Sequence, residues 1–249
     1  MLFIGVDLAW GEKKADGICF IEARRVKSTT KARILSYAYP RGDEELMALL
    51  GPHLENPEGV FITIDAPIVC PNVSGTRPVD RLTHRMFHRE HAACHPANLT
   101  KCPRPPRVLA RLRALGARAG WEVGAGLKTV AEVYPHPAMV RLFRLPRIVK
   151  YKKGRVREKR KEFKRLQRLM RRCMEENFPF LAIDRETDEL LGTVWSKTVE
   201  DKTDALFCSL IGVWHWCHGG KRTEVIGDAA TGFILLPAEM RTPRERSQA

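Results

Sequence analysis

The chain opens on MLFIGVDLAWG, where Phe3, Ile4, Val6 and Leu8 form a nearly continuous apolar run, the pattern of a strand buried on both faces. One carboxylate, Asp7, interrupts that run. Charge is costly in a buried strand unless a metal or an opposite charge compensates it, so Asp7 is the first candidate for function; the alternative is an aspartate that accepts from a loop amide. The polar segment from Gly11 to Gly17 predicts a hairpin turn, Gly17 to Ala23 a second strand, and Ala32 to Tyr39 a third, closed by Pro40 and Gly42. Asp43 starts a helix whose apolar face is Leu46, Met47, Leu49, Leu50 and Leu54. Val60 to Ile64 is a short apolar run that predicts a fourth strand, parallel to the first.

Residues 67–120 read as an insertion rich in proline, histidine and cysteine, with helices over Pro78 to Ala93 and Pro106 to Arg118. Thr129 to Tyr134 predicts a fifth strand, ended by Pro135 and Pro137, and a short helix follows from Ala138 to Phe143. Within residues 151–177, Phe163, Leu166, Leu169, Met170 and Cys173 recur at helical spacing among lysines and arginines, which predicts a long basic helix. Asp201 to Trp216 is a strongly apolar helix, and Gly232 to Leu236 a last apolar piece. The tail after Pro243 is expected to fray. With no internal repeat and no low-complexity tract, residues 1–249 read as a single α/β domain.

Composition sharpens this picture in two ways. No stretch approaches the roughly 18 apolar residues of a membrane span, the first residues lack a signal-peptide pattern, and the seven cysteines form no C-x-x-C pair. A cytoplasmic protein with free thiols is expected. The 43 Lys plus Arg outnumber the 29 Asp plus Glu, a formal net charge of +14, and twelve basic against two acidic residues fall between Tyr151 and Cys173. Such a segment suits a polyanion, and nucleic acid is the expected partner.

Three further carboxylates adjoin apolar segments: Asp65 in VFITIDAP, Glu132 in TVAEVYPHPA and Asp204 in DKTDALFCSLIGVW. Asp7 and Asp65 end runs that should pair as neighbouring parallel strands. Asp201 and Asp204, spaced i, i+3, share one helix face. Carboxylates delivered from separate rigid elements to one point are what a divalent-metal phosphodiesterase needs, and Mg²⁺ or Mn²⁺ is the expected cofactor.

The order strand-strand-strand-helix-strand, with Asp7 in the first strand, Asp65 after the fourth and D-x-x-D-A on a late helix, resembles the ribonuclease H-like fold, a mixed five-stranded sheet flanked by helices. GVDLAWG, IDAP, CHPANLT, EVYPHPA, the Tyr151-Lys152 basic segment, DKTDALFC and GFILLP together resemble an uncharacterised family of predicted RNase H-like nucleases. That resemblance implies metal ligation by Asp7, Asp65 and Asp204. It matches Asp201 to the extra helix acid of Holliday-junction resolvases, which carry glutamate where this chain has Asp65. Glu132 is implied only by the narrower family's E-V-Y-P motif. Asp201 as a helix cap and Glu132 as the partner of a basic residue are the alternatives.

Arg77, Arg81 and Arg85, with Lys152, Lys153, Arg155, Lys164 and Arg168 of the basic segment, are the candidate phosphate contacts; a solvated face is the alternative. His84, His88 and His91 share a helical face and could line a groove. With Cys94, His95 and Cys102 they lack the paired spacing of a zinc site, so zinc is not expected. Trp195, Trp214 and Trp216 read as core. Two other functions compete with the nuclease. One is a non-catalytic nucleic-acid-binding module; the other is an actin-like phosphotransferase, disfavoured because that architecture needs two copies of the fold.

Overall fold

A computed structural model describes residues 1–238; the tail after Pro243 lies outside the described residues. Strands β1 (Leu2–Asp7), β2 (Gly17–Val26) and β3 (Thr29–Ala38) form an antiparallel meander. Helix α1 (Gly42–Leu50) and a 3₁₀ turn lead to β4 (Val60–Ile64), which returns parallel to β1. Next come α2 (Pro78–Phe87), α3 (Arg104–Ala114), β5 (Arg118–Ala119), β6 (Lys128–Glu132) and α4 (Pro135–Leu142). The basic helix α5 (Val156–Asn177) is followed by β7 (Leu181–Ala182), α6 (Arg185–Leu190), α7 (Lys197–Cys217), and the hairpin of β8 (Thr223–Asp228) and β9 (Gly232–Pro237).

The main sheet has seven strands in the order β5-β6-β4-β1-β2-β3-β7, not the five expected. The two extra strands, β5 and β7, are two-residue edges too short to leave a periodic signal in sequence. Only β2 runs against its neighbours; the pairs of β1 with β4, β4 with β6, and both edge pairs are parallel. Alternation divides the core into two layers. Ile4, Val6, Ile62, Ile64 and Val130 face α1 and α3 through Leu46, Leu50, Val108 and Leu112. Phe3, Phe61 and Ala131 face the other way, in one cluster with Ala205, Leu206, Leu210 and Ile211 of α7 and Phe163, Leu166 and Met170 of α5.

Several bounds move for local reasons. Helix α2 stops at Phe87 rather than Ala93, and His91 beyond it has a positive φ of 59°. Helix α3 runs from Arg104 to Ala114, ahead of Gly116 at φ 88°. Helix α4 begins at Pro135, because proline suits a first turn whose amides are unpaired in any case. The basic helix starts at Val156, after Gly154 at φ 95°, and the Glu158 side chain accepts from the Arg155 amide at 2.9 Å. Lys152, Lys153 and Arg155 therefore precede the helix. Gly232 to Leu236 is the second strand of a hairpin whose first strand, β8, carries no clear apolar alternation.

Helix α7 packs hard on the sheet at two glycines. A Cβ on Gly5 would fall on the Ala205 carbonyl and the Ser209 amide, and one on Gly17 on the Asp201 carbonyl. Gly5→Ala should therefore lift α7 from β1 at a cost of roughly 3 kcal/mol, whereas Gly11→Ala, which meets nothing within 4 Å, should cost less than about 0.5 kcal/mol. Urea denaturation of the two variants checks the contrast.

Candidate functional site

The parallel pairing of β1 with β4 sets Val6 opposite Ile64, and the Asp65 amide donates to the Val6 carbonyl at 2.9 Å. Asp7 and Asp65 thus leave adjacent strand ends side by side. Both follow, at the two-residue period of a strand, residues that face α7: Gly5 lies under Ala205, and the Thr63 hydroxyl donates to the Cys208 carbonyl at 2.8 Å. Asp204 sits one turn before Cys208 and is fully buried. The three aspartates converge at one end of the sheet from three rigid elements.

Two consecutive residues hold Asp204. The Tyr151 hydroxyl donates to its Oδ1 at 2.6 Å, and the Lys152 Nζ lies 2.8 Å from its Oδ2. The second contact is an ion pair between a half-buried ammonium and a fully buried carboxylate. Among the described residues the carboxylates of Asp7 and Asp65 accept no hydrogen bond and form no ion pair at contact distance. Burial raises the Asp7 pKa well above the usual carboxylate value; Lys152 opposes this, while Asp204, Asp65 and Asp201 add to it. Burial likewise pushes Asp65 up to about 7 against the pull of Lys152. Burial works against the Lys152 charge, yet Asp204, Tyr151, Asp7 and Asp65 outweigh it and hold the ammonium protonated well above its ordinary range. One lysine touches Asp204 and acts on Asp7 and Asp65 through its charge.

That donor set fits a hard divalent cation: all oxygen, on rigid elements, with two carboxylates free of protein partners. Among the described residues, however, no three His, Cys, Asp or Glu side chains are drawn together closely enough to share one ion. Asp204 is instead committed to Tyr151 and Lys152.

The other candidate acids are paired. Glu132 aligns with Ile64, so the pleat turns it to the face away from α7, where Arg77 grips it through two bonds of 2.8 and 2.7 Å. The same guanidinium holds Asp80 at 2.8 Å and the Val69 carbonyl at 2.9 Å. Arg77 is only 2% exposed, which corrects its expected role as a phosphate contact. Asp201 accepts from Tyr39 at 2.8 Å and pairs with Lys197 at 2.6 Å; the cap of α7 is Ser196. A pocket beside Asp65 is lined by Arg77, Asp80 and Glu132, with Trp10 and His95.

Lys152 is the second basic candidate that is not a free surface charge. Arg81, Arg85, Lys153, Arg155, Lys164 and Arg168 are exposed. His84 and His88 stack on the outer face of α2 with centroids 5.8 Å apart. Trp214 is core; Trp195 and Trp216 are half-buried, under Lys159 and Arg25 respectively. Sequence reasoning missed the roles of Tyr151 and Lys152 toward Asp204, and the clamp in which buried Arg104 holds Asp16 at 2.6 Å and Asp43 at 2.7 Å. Asp16 accepts from the Ala9 amide at 2.9 Å, which fixes the loop after Asp7. In sequence Lys152 was marked by its place in the Tyr151-Lys152 basic segment, before Gly154 and outside the helical repeat.

The fold and this end of the sheet define a mixed α/β protein with a buried carboxylate–lysine cluster at adjacent parallel strand ends. The profile of a family described as a protein of unknown function (DUF429) matches residues 5–231, and the chain belongs to that family. No curated protein and no solved structure matches the chain.

Removing the Arg77 charge leaves Asp80 and Glu132 buried and uncompensated, so Arg77→Gln should lower stability by about 3–5 kcal/mol in chemical denaturation. His136, close to Tyr134 and Tyr151, has its pKa depressed to about 3 by burial, then by Lys152, His95 and Lys153. The unfolded chain then binds a proton at His136 that the folded chain refuses, so its contribution is lost as pH falls from 6.5 toward 3. Stability of His136→Gln minus that of wild type, measured at several pH values, should rise across that window.

Proposed function

We propose that this protein is a divalent-metal-dependent nuclease of ribonuclease H-like fold that hydrolyses phosphodiester bonds of nucleic acid. The observation that carries this reading is the convergence of Asp7, Asp65 and Asp204 from β1, the end of β4, and α7 at one end of the sheet. The strand order β3-β2-β1-β4-β6 within the sheet, with β2 alone antiparallel, supports the fold assignment.

Asp7, Asp65 and Asp204 would hold Mg²⁺ or Mn²⁺, which when bound activates a water and stabilises the leaving oxygen. Tyr151 orients Asp204 through its Oδ1. Glu132 acts indirectly: with Asp80 it fixes Arg77, and Arg77 fixes the loop after β4 through Val69. Asp201 adds negative charge near Asp7. The exposed cations Lys153, Arg155, Lys164 and Arg168, with Arg81 and Arg85, supply a phosphate-binding surface whose affinity falls with salt.

One observation favours a second reading. Lys152 already offsets part of the acidic charge, as suits a non-catalytic nucleic-acid-binding module. A labelled panel of single- and double-stranded DNA, RNA, RNA–DNA hybrid and four-way junction, with Mn²⁺, Mg²⁺ or EDTA, separates the two. The nuclease reading expects metal-dependent cutting that Asp7→Asn reduces by about 100-fold or more, with circular dichroism unchanged. Salt-sensitive binding without cutting by either protein would sink it in favour of the module.

A further inference from the structure

Lys152 is the cation paired with Asp204, the acid that α7 delivers to Asp7 and Asp65, and it stands where its charge would oppose a metal ion. We propose that Lys152 is a built-in competitor of the divalent cation: it balances the cluster in the metal-free protein and must leave Asp204 when metal is loaded. This rests on the reading of Asp7, Asp65 and Asp204 as the metal site.

Three features of the structure support it. Both oxygens of Asp204 are taken by the side chains of consecutive residues, Oδ1 by Tyr151 at 2.6 Å and Oδ2 by Lys152 at 2.8 Å, so Oδ2 cannot meet a metal while the ammonium stays. A cation on Asp7 or Asp65 would face that ammonium across the same cluster, and like charges in a poorly solvated site repel strongly. The two residues also differ in freedom. Tyr151 is fully buried, packed on Phe163 with ring centroids 6.1 Å apart. Lys152 keeps 29% of its side chain exposed, in the turn before Gly154.

Loading is therefore a local exchange. Tyr151 keeps Oδ1 and orients the carboxylate, while the flexible lysine stem carries its ammonium from Oδ2 toward solvent. The device lets the site form without metal, since the ammonium relieves repulsion that would otherwise spread the three acids. It also weakens metal binding, because each ion must displace an internal charge. Metal affinity and metal-free stability are thus set against each other by one side chain.

Manganese is the probe. Titration of wild type, Lys152→Gln and Asp7→Asn with Mn²⁺, read by the electron paramagnetic resonance of the free ion, should show Lys152→Gln binding about tenfold tighter than wild type or more. Melting of Lys152→Gln should also respond more strongly to Mn²⁺ than melting of wild type. A second measurement needs no variant: acylation of lysines in wild type, mapped by mass spectrometry, should label Lys152 faster with Mn²⁺ than in EDTA. Equal or weaker Mn²⁺ binding by Lys152→Gln overturns the proposal, as does Lys152 labelling that is unchanged or slowed by Mn²⁺. If wild type binds Mn²⁺ and cuts nucleic acid while either result holds, the competitor role alone falls. If neither wild type nor Lys152→Gln binds Mn²⁺, the metal-site reading falls with it.

Discussion

A carboxylate buried at a strand end is stable only with a cation beside it, and this molecule meets that constraint three times around one edge of its sheet. Arg104 bridges Asp16 and Asp43, and through the Ala9 amide that network pins the loop after β1. Arg77 bridges Asp80 and Glu132 and pins the loop after β4 through the Val69 carbonyl. Both arginines are almost completely buried, and their forks are filled by carboxylates and carbonyls. Between these closed networks lies an incomplete one. There a single lysine pairs with Asp204, and the carboxylates of Asp7 and Asp65 have neither a hydrogen-bond partner nor an ion pair among the described residues. The contrast separates acids that hold the loops from Asp7 and Asp65, whose carboxylates carry no hydrogen bond among the described residues.

Helix α7 is the other half of the arrangement. Its apolar residues fill one core layer, and its backbone approaches β1 and β2 closely enough that only glycine fits at positions 5 and 17. The close approach delivers Asp204 to Asp7 and Asp65, because Ala205 and Ser209 rest on the strand whose next inward residue is Asp7. Packing and site chemistry are therefore one constraint.

The basic charge is arranged differently from the acidic charge. Twelve of the 43 Lys and Arg fall between Tyr151 and Cys173, mostly at exposed positions of α5 and the turn before it, while the apolar stripe of Phe163, Leu166, Met170 and Cys173 is buried. Lys152 belongs to the same run of sequence yet enters the acidic cluster. A stretch of like charges thus contributes both a long-range field and one internal counter-ion.

The sequence by itself determined the central meander, its parallel fourth strand, the presence of a fifth and the late helix, because those segments carry strong local apolar patterns. Asp7, Asp65 and Asp204 were legible for a related reason: charge beside an apolar run is conspicuous. Pairings across long separations were not. Nothing local distinguishes Arg77, which is buried on Glu132, from Arg81, which is exposed four residues later. Nothing local assigns Lys152 to Asp204 rather than to solvent. The two-residue strands β5 and β7 depend on edges built elsewhere in the chain. Which acids are neutralised and which stay open is decided when the strands and α7 come together, since the energy of an ion pair depends on distance and burial that only the tertiary structure sets.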